Sequence, residues 1–322
     1  MREGWVIGVD LGASNVRVGL GTRDGGVLGK AYQKTDTRHE AEGIATQIIG
    51  MIQDLRRDAD APIAGIGIGS IGPLDLARGR VTQSPNIPFA AVPLREPIAR
   101  AFQVPITLLN DCAAAVLGEH RFGAGKGIDD LAYVTLSTGI GGGVLVDGHL
   151  LSGKDGNAAE VGHMVIDVEG RLQCGCGKRG HWEAYCSGRN IPRYVTMRLT
   201  EMGVTDSPLR RQMRGWSPEE TTRRLFEAAE RGDREALTLV EDIGRRNAAG
   251  FATVINVFDP ALITVGGALA LKHERLILQP IRDHVESYAI NRVPEIRLTP
   301  LGEDVVLLGA MAAAAHSNPL GG

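Results

Sequence analysis

Residues 5–21 read WVIGVDLGASNVRVGLG, and this stretch decides the fold of the chain. Two runs rich in Val and Ile flank the turn-forming residues 12–15, so the stretch predicts the strands Trp5–Leu11 and Val16–Gly21 joined by a tight turn. Residues 131–146 repeat this plan, with Gly139 standing 127 positions after Gly12. A repeated strand–glycine turn–strand unit predicts two related lobes that face each other.

Strands and helices alternate along the rest of the first lobe, which is therefore predicted to be α/β. The apolar spacing predicts strand Val27–Gln33, helix 39–57, strand Ile63–Gly69, helix 94–102, strand Ile106–Leu109 and helix 112–122. Further along it predicts strands Leu131–Ser137, Val144–Val146 and Ala261–Val265, and helices over 218–231, 233–257, 273–288 and 304–316. Residues 203–218, which contain two Ser-Pro pairs, are predicted to be an irregular insertion.

The composition excludes several classes of protein. A formal net charge of −3 over 322 residues argues against nucleic acid or an anionic membrane as the main partner. No apolar run approaches the ~18 residues of a membrane span, and the N-terminus lacks the pattern of a signal peptide. Four cysteines are too few for a disulfide framework in a chain of this length. We therefore expect a cytoplasmic protein with reduced thiols.

The two glycine turns are candidate phosphate-binding sites. Backbone N–H groups in such turns can bind phosphate oxygens, and Ser14 and Asn15 add side-chain donors. Asp10, at the end of the first strand, could hold water around Mg²⁺. A plain hairpin turn explains the first segment equally well, but a second such turn at Ser137–Gly143 on an opposed lobe favours a nucleotide site. A Walker A sequence and a dinucleotide fingerprint are both missing from these turns.

Asn110 and Asp111 follow the predicted strand Ile106–Leu109 directly. A carboxylate at the carboxyl end of an α/β strand points into the crevice where ligands bind, and there it could take a proton from an attacking hydroxyl. Aspartate is also frequent at helix N-termini, and position alone favours that capping role. The residues by themselves leave both roles open for Asp111.

A group of potential metal ligands lies between residues 160 and 183. This segment contains His163, Cys174, Cys176 and His181, and two thiols with two imidazoles suit a tetrahedral Zn²⁺. Four protein ligands would complete the coordination, so the metal would be structural and not catalytic. The alternative is a pair of free cysteines with unrelated surface histidines.

Together these segments resemble the ROK family of sugar kinases and related repressors, and within it the glucokinase/hexokinase branch. The resemblance covers almost the whole chain. Its elements occur in the family's order: Asp10–Arg17, Gly69–Asp75, Ser84–Asn86, Asn110-Asp111, Ser137–Gly143, Glu160–His163, the cysteine loop 174–183 and Ile263–Gly267. Each element is short, and the ordered set is specific.

The resemblance implies a two-lobed α/β fold of the actin/hexokinase-like (ribonuclease H-like) class. We expect a small lobe of residues 1–112, with a C-terminal helix of about 300–322 packed back on it. A large lobe of residues 113–299 would carry the zinc loop and the turn beside the adenosine. The family further implies a homo-oligomer that uses ATP, Mg²⁺ and a structural Zn²⁺ to phosphorylate a hexose, with the 6-hydroxyl of glucose as the expected acceptor.

The resemblance also assigns roles to individual residues. Asp111 matches the family's catalytic base. The positions that match sugar-binding residues are Asn86, Asn110, Asp111, Glu160, His163 and Glu183. Those that match nucleotide or Mg²⁺ positions are Asp10, Gly12, Ser14, Asn15, Arg17, Thr138, Gly139, Gly141, Gly266 and Gly267. The zinc ligands would be His163, Cys174, Cys176 and His181.

Two departures from the family pattern bear on the site. His181 stands where the family usually has a third cysteine, so the ligand set would be Cys₂His₂. The segment after Asn86 lacks the tryptophan often found there in glucokinases, which leaves N-acetylmannosamine, N-acetylglucosamine or fructose as alternative substrates. A sugar-responsive repressor would carry a helix-turn-helix domain before the first glycine turn, and that turn lies close to Met1 here, so we expect a kinase.

Overall fold

The computed structural model of the chain describes residues 4–38, 40–57, 61–84, 87–213 and 215–315. Two compact units can be distinguished by their internal contacts. Unit 1 comprises Met1–Tyr133, Gly143–Ala159 and Thr299–Gly322. Unit 2 comprises Val134–Gly142 and Glu160–Leu298.

The strands of the described residues form three sheets. In chain order they are β1 (Trp5–Leu11), β2 (Asn15–Gly21), β3 (Val27–Lys34), β4 (Ile63–Ser70), β5 (Leu74–Asp75), β6 (Arg80–Thr82), β7 (Ala91–Pro93), β8 (Ile106–Asn110), β9 (Leu131–Leu136), β10 (Ile140–Val146), β11 (His149–Leu150), β12 (Leu262–Gly266) and β13 (Glu295–Leu298). The sheet orders are β3-β2-β1-β4-β8, β11-β10-β9-β12-β13 and β5-β6-β7. The predicted strands are confirmed to within one residue at each end, except that β10 begins well before the predicted Val144.

The two five-stranded sheets share one topology. In each, the strand that comes first in the chain is central, with the second and third strands on one side and the fourth and fifth on the other. β1 pairs antiparallel with β2 and parallel with β4. In the second sheet β10 pairs antiparallel with β11, and β12 pairs parallel with β13. The duplicated strand–turn–strand unit that the sequence predicts is therefore confirmed as a repeat of whole sheets.

The seven predicted helices are confirmed, and the described residues contain four more that were not predicted. The helices are α1 (Glu42–Leu55), α2 (Arg95–Phe102), α3 (Asp111–Phe122), α4 (Glu183–Cys186), α5 (Ile191–Glu201), α6 (Pro208–Met213), α7 (Pro218–Glu230), α8 (Arg234–Phe258), α9 (Ala268–Lys272), α10 (Glu274–His284) and α11 (Val305–Ala315), of which α4, α5, α6 and α9 were not predicted. The irregular insertion predicted for 203–218 is wrong in part, because α6 lies inside it. Proline suits a first helical position, and the Ser207 hydroxyl accepts from the N–H of Arg210 at 3.1 Å, so the Ser-Pro pair begins a helix. Within the described ranges, none of these helices is both long and apolar enough to cross a bilayer.

Helix α11 packs against the first sheet at backbone distance. A Cβ on Gly67 in β4 would lie 1.8 Å from the carbonyl oxygen of Ala310, so only glycine permits this approach. The same helix contacts α3, where a Cβ on Gly309 would lie 1.7 Å from the carbonyl oxygen of Ala114. Because α3 begins at Asp111, this packing fixes the position of that residue at the end of β8.

Candidate active site and metal centre

The first glycine turn joins β1 and β2 in unit 1. The N–H of Gly12 donates to the carbonyl oxygen of Asn15 at 2.9 Å, and the hydroxyl of Thr35 donates to the carbonyl oxygen of Gly12 at 2.8 Å. Asn15 is already the first residue of β2, and its Oδ1 accepts from the Tyr32 hydroxyl at 2.5 Å. The turn is therefore residues 12–14, one residue shorter than predicted, and neighbouring side chains hold its backbone in place.

Acidic side chains gather beside this turn. Asp10 lies opposite Arg17 in the hairpin, and the Arg17 Nη1 atom is 3.5 Å from Asp10 Oδ2. Arg17 also binds the Glu303 carboxylate at 3.0 Å. The pKa of Asp10 is raised to about 7: burial is the largest cause, the carboxylates of Asp111 and Asp304 add to it, and Arg17 opposes them. A divalent cation would relieve the repulsion among these carboxylates, so the donor set suits Mg²⁺.

The structure distinguishes the two residues at the end of β8. Asn110 is the N-cap of α3: its backbone is extended, and its Oδ1 accepts from the N–H of Cys112 at 2.9 Å. Asp111 is the first helical residue, and its Oδ1 lies 2.7 Å from the same N–H. Burial raises the pKa of the Asp111 carboxyl, while the Cys112 N–H lowers it. The helix therefore has its cap in Asn110, and capping does not require Asp111.

Asn157 is a neighbour of the site that the sequence patterns missed. Its Oδ1 accepts from the N–H of Leu74 at 2.9 Å, and its Nδ2 donates to the Leu74 carbonyl oxygen at 3.0 Å. A Cβ on Gly72 would lie 3.4 Å from Asn110 Nδ2 and 3.9 Å from Asn157 Oδ1, so both amides line the same turn. No motif surrounds Asn157 in the sequence. The predicted sugar ligand Asn86 lies outside the described residues.

The second glycine turn, Ser137–Gly139, joins β9 and β10. The Glu183 carboxylate closes it, because Oε2 accepts from the N–H of Ile140 at 2.9 Å. A Cβ on Gly139 would lie 2.8 Å from the same oxygen, which explains the glycine at that position. The longer turn predicted for 137–143 is wrong. Strand β10 already begins at Ile140, and Gly141 therefore lies in that strand.

The backbone after α4 supports this turn from the other side. The N–H of Gly188 donates to the Ser137 carbonyl oxygen at 2.8 Å, and the N–H of Arg189 donates to the Thr138 carbonyl oxygen at 3.3 Å. Both carbonyls of the turn are thus engaged. The predicted phosphate ligands Thr138 and Gly139 are held by residues 183–189, a contact between distant segments that the sequence did not reveal.

The four predicted metal ligands converge in unit 2. Donor atoms of His163, Cys174, Cys176 and His181 all lie within 4.8 Å of one another. Cys174 Sγ is 3.8 Å from His163 Nδ1, and Cys176 Sγ is 3.3 Å from His181 Nδ1. Bonds of about 2.3 Å to sulfur and about 2.0–2.1 Å to nitrogen separate the donors of tetrahedral Zn²⁺ by about 3.3–3.8 Å. The residues present therefore fit Zn²⁺.

Tight turns bring these ligands together. The N–H of Cys174 donates to the Lys178 carbonyl oxygen at 2.8 Å, and Gly177 between them has a φ of 86°. Gly180 has a φ of 78°, and a Cβ there would lie 2.1 Å from the Asp167 carbonyl oxygen. Burial, followed by the charge of neighbouring His163, lowers the pKa of His181, which favours the neutral imidazole that binds a metal.

His163 presents its two ring nitrogens to different partners. Nδ1 faces Cys174 Sγ, whereas Nε2 lies 3.8 Å from Glu160 Oε2. The 3₁₀ turn Val161–His163 keeps the two side chains adjacent. Glu183 also reaches this cluster, because its Oε1 lies 3.5 Å from Cys174 Sγ. The ring of His163 can therefore bind a metal at one edge and a second partner, together with Glu160, at the other.

A pocket adjoins the second glycine turn within unit 2. Its walls include Thr138 from the turn, Arg189 beside it, Thr222 from α7, and Leu269 and His273 from the α9 region. The sequence predicted the turn of this pocket and the helix α7, but not that α7 and His273 line the pocket. Their place on the wall depends on how helices separated in the chain pack together, and no local pattern reports that packing.

Gly266 and Gly267 form the junction between β12 and α9. Gly267 has a φ of 87°, and a Cβ there would lie 2.5 Å from the carbonyl oxygen of Leu136 at the end of β9. Both the positive φ and this close contact require glycine at position 267. The junction can therefore lie against the strand that leads into the second glycine turn.

Comparisons with known proteins agree over the full length of the chain. A glucokinase of Pyrobaculum calidifontis is 39% identical over 313 residues, which cover 97% of this chain and 95% of that one. A ROK family glucokinase from Streptomyces griseus, crystallised with glucose and AMPPNP, is 33% identical with a TM-score of 0.78 and covers 97% of this chain and 99% of its own. The ROK hexokinase from Thermus thermophilus is 32% identical with a TM-score of 0.79, covering 96% and 97%.

These likenesses confirm the predicted fold class, the α/β fold of the two-lobed actin/hexokinase-like group. The family comparison matches residues 6–317, nearly the whole chain, to one family. The chain therefore belongs to the ROK family.

Proposed function

We propose that the chain is an ATP-dependent kinase that phosphorylates the 6-hydroxyl of glucose, with Asp111 as general base. One observation carries the proposal: a half-buried carboxylate stands at the end of β8, and the helix that follows is capped by its neighbour Asn110. Relatives that resemble the chain over its full length are glucokinases, which supports the same activity and the choice of glucose.

Asp111 would remove the proton from the hydroxymethyl oxygen, which then attacks the γ-phosphorus in line. Burial raises the pKa of this carboxyl, so its ionised form is a stronger base than an exposed aspartate. Asn110 would both cap α3 and offer its amide to a sugar hydroxyl. Its proximity to the Gly72 turn and Asn157 supports a polar recognition surface at this place.

Asp10 would hold Mg²⁺, directly or through water. Burial and the nearby carboxylates of Asp111 and Asp304 raise its pKa to about 7, which supports this assignment, because a bound cation would stabilise the ionised carboxylate. Mg²⁺ in kinases neutralises charge on the phosphates. Ser14 and Asn15 would give phosphate-binding donors, Gly12 would let a phosphate approach the backbone of the turn closely, and Arg17 would orient Asp10 through their ion pair.

In unit 2, the second glycine turn would bind nucleotide phosphates through Thr138 and Gly139, with Gly141 behind it in β10. The adjoining pocket would take the adenosine, beside Gly266 and Gly267. Support comes from the concave shape next to a fixed backbone turn, since ligands of this size bind in preformed clefts with a few placed polar groups.

Sugar recognition would fall to Glu160, His163 and Glu183, together with Asn86 and Asn110. Buried polar groups reject a hydroxyl of the wrong configuration because they are then left unpaired. The adjacency of Glu160 Oε2 and His163 Nε2 at 3.8 Å supports a joint role. One carboxylate oxygen of Glu183 binds the N–H of Ile140 after the glycine turn, and the other lies near Cys174. Glu183 would therefore also fix the position of the turn relative to the Cys/His cluster.

The Cys₂His₂ cluster would hold one structural Zn²⁺ through His163, Cys174, Cys176 and His181. Its metal would fix the His163 ring and leave Nε2 for the sugar. Four protein donors suit a closed, non-catalytic site. Free thiols at these positions also support a reducing compartment such as the cytoplasm.

We also propose a homo-oligomer. Val257, Tyr288 and Ile290 are exposed apolar side chains, and Ile290 is 90% exposed. Asn256 brings two of them together, because its Nδ2 donates to the Tyr288 carbonyl oxygen at 3.3 Å and its Oδ1 accepts from the Ile290 N–H at 2.9 Å. Light scattering of the purified chain, with Ile290→Asp as the variant, tests this assembly. A monomeric wild type would contradict it.

The activity is tested by a coupled ADP-release assay over glucose, mannose, fructose, N-acetylglucosamine and N-acetylmannosamine. We expect glucose to give the highest kcat/KM, with other hexoses weaker. Turnover with N-acetylmannosamine alone would contradict the glucose assignment and leave the kinase class intact. No ADP release with any sugar would contradict the kinase.

A further inference from the structure

His273 is a buried histidine at the junction of α9 and α10 that lines the pocket of unit 2. Its side chain is 3% exposed. The ring stacks on Phe226 with centroids 4.9 Å apart and planes 23° from parallel. Its Nδ1 lies 2.6 Å from Glu230 Oε1. One face and one nitrogen of the ring are therefore already engaged, and none of the roles proposed above uses this residue.

The partners of His273 define which edge of its ring faces the pocket. Thr222, Phe226 and Glu230 are spaced four residues apart, so they lie along one face of α7. Thr222 lines the pocket, Phe226 stacks on the ring, and Glu230 binds Nδ1 at the far end. The ring thus lies along this face with Nδ1 directed away from Thr222. Since His273 is among the residues lining the pocket, we infer that the opposite edge of the ring, which carries Nε2, is the one that faces it.

Glu230 also sets the proton position on the ring. A carboxylate can only accept a hydrogen bond, so Nδ1 of His273 carries a proton and donates it. In the neutral ring Nε2 is then an acceptor without a hydrogen. A bare acceptor on a pocket wall selects for a ligand that presents a donor.

We propose that His273 reads position 6 of the purine, accepting a hydrogen bond from the 6-amino group of adenine. This inference rests on the proposed function, which puts the nucleotide base in this pocket. A 6-oxo purine would place an acceptor against the bare Nε2 and leave both unpaired. His273 would therefore be a specificity-determining residue that favours ATP over triphosphates of 6-oxo purines.

The size of the effect follows from the loss of one hydrogen bond at a buried site. A site built to pair with a polar group rejects an analogue that leaves its own group unpaired. We expect kcat/KM for ATP to exceed that for inosine triphosphate by about ten- to hundredfold. Inosine triphosphate is the probe of choice because it differs from ATP at the purine 6-position and N1 and carries no 2-amino group.

The test compares kcat/KM for ATP and inosine triphosphate, with glucose saturating, in four proteins. His273→Phe keeps an aromatic ring on Phe226 but removes the acceptor, and the ATP preference should fall to within about threefold of unity. Glu230→Gln offers both a donor and an acceptor to Nδ1, so either tautomer is satisfied. The preference of this variant for ATP should become smaller, mainly because its kcat/KM for inosine triphosphate rises.

His284→Phe is the matched control. This histidine also binds a glutamate of a neighbouring helix, with Nε2 2.5 Å from Glu241 Oε1, but it does not line the pocket. The control should keep the wild-type ratio. If His273→Phe fails to fold, Glu230→Gln still decides the matter, because the Glu230 side chain is 47% exposed and tolerates the change.

The outcomes separate this inference from the proposed function. Equal use of the two nucleotides by the wild type, or an unchanged ratio in both pocket variants, overturns the role of His273 while the kinase stands. Absence of glucose-dependent turnover with either nucleotide contradicts the proposed function itself. A ratio that collapses in His273→Phe and narrows in Glu230→Gln, but not in the control, supports the assignment.

Discussion

The two glycine turns of the chain share a topology and differ in their surroundings. Each follows the first and central strand of a five-stranded sheet and leads into the neighbouring second strand. Around the turn at Gly12, charged side chains predominate: Asp10 and Arg17 lie at its base, with Asp304 close by. Around the turn at Gly139, the backbone carbonyls are occupied by residues 188 and 189, and Glu183 holds the following N–H.

The same type of backbone turn thus stands in two environments that suit two different tasks. Near the turn at Gly12, burial raises the pKa values of Asp10 and Asp111, and the charge of Asp111 also acts on Asp10, which suits proton transfer and cation binding. The turn at Gly139 is held by backbone and side-chain hydrogen bonds and adjoins a pocket and the group of potential metal ligands, which suits ligand positioning. The comparison predicts that variants near Gly12 change the chemical step, whereas variants near Gly139 change binding.

The largest expected effect is that of Asp111→Asn. The amide keeps the shape of the side chain but cannot accept the proton, so kcat should fall by about 10²–10⁴-fold while glucose affinity stays within a few-fold. Steady-state kinetics and calorimetric glucose binding measure the two quantities. Asp24→Asn, in the exposed β2–β3 turn, is the control. A variant that turns over within a few-fold of wild type would show that Asp111 is not the base.

Glu183→Ala tests the second turn. It leaves the N–H of Ile140 without its acceptor, so we expect kcat/KM for ATP and for glucose to fall about ten- to hundredfold. Glu183→Gln keeps an acceptor oxygen for the N–H of Ile140, so its kcat/KM should fall less for ATP than for glucose. Glu169→Ala, an exposed glutamate of the same loop, should leave both constants unchanged. If Glu183→Ala keeps wild-type constants for both substrates, the carboxylate neither holds this turn nor binds the sugar.

His181→Ala tests the metal cluster next to that turn. With three ligands left, the zinc content should fall well below one per chain, and glucose should bind about tenfold more weakly because second-sphere and ligand losses cost about 10–100-fold. His181→Cys should restore zinc, since thiolate is an equally good ligand. Elemental analysis of dialysed protein gives the readout. Zinc that is absent from wild type, or unchanged in His181→Ala, would mean that His181 is not a ligand.

The smallest expected effect concerns stability near the first turn. The pKa of Asp10 is raised from 3.8 to about 7 in the folded chain, so folding takes up a proton between those values. The protonated Asp10 carboxyl contributes its full stabilisation below about pH 4, and this contribution is lost as the pH rises through about 7. Asp10→Asn removes the cost of burying an ionised carboxylate. The variant should therefore be more stable than the wild type at pH 8 by on the order of 1–3 kcal/mol, with a smaller gain at pH 5.

Urea unfolding at the two pH values, with chelator present, measures this difference. Asn15→Ala in the same hairpin should not change the pH slope, because it carries no titrating group. An Asp10→Asn gain that is equal at pH 5 and pH 8 would contradict the shifted pKa. Added Mg²⁺ should stabilise the wild type more than the variant.

Much of this comparison could be predicted from the sequence because it depends on local pattern. Runs of Val and Ile around a glycine turn predicted both hairpins, and two thiols and two imidazoles close together in the sequence predicted the group of potential metal ligands. The roles of Asn110 and Asp111 could not be separated, because capping depends on the backbone conformation of the residue before the helix.

The rest could not be predicted because it depends on tertiary packing. The contact of Glu183 with the N–H of Ile140 joins residues 43 positions apart. The stack of His273 on Phe226 depends on how α7 packs against the α9 region. The helix α6 was missed for a different reason: its Ser-Pro pair indicates a turn in isolation but begins a helix once Pro208 occupies the first helical position.

Phosphorus NMR of the products formed from ATP and glucose by the wild-type chain is the sharpest test of the proposed kinase activity. We expect a phosphate monoester whose phosphorus couples to the two C6 protons of glucose, appearing together with ADP and not formed by Asp111→Asn. A monoester at another carbon, or ATP hydrolysis to inorganic phosphate without any sugar phosphate, would contradict it.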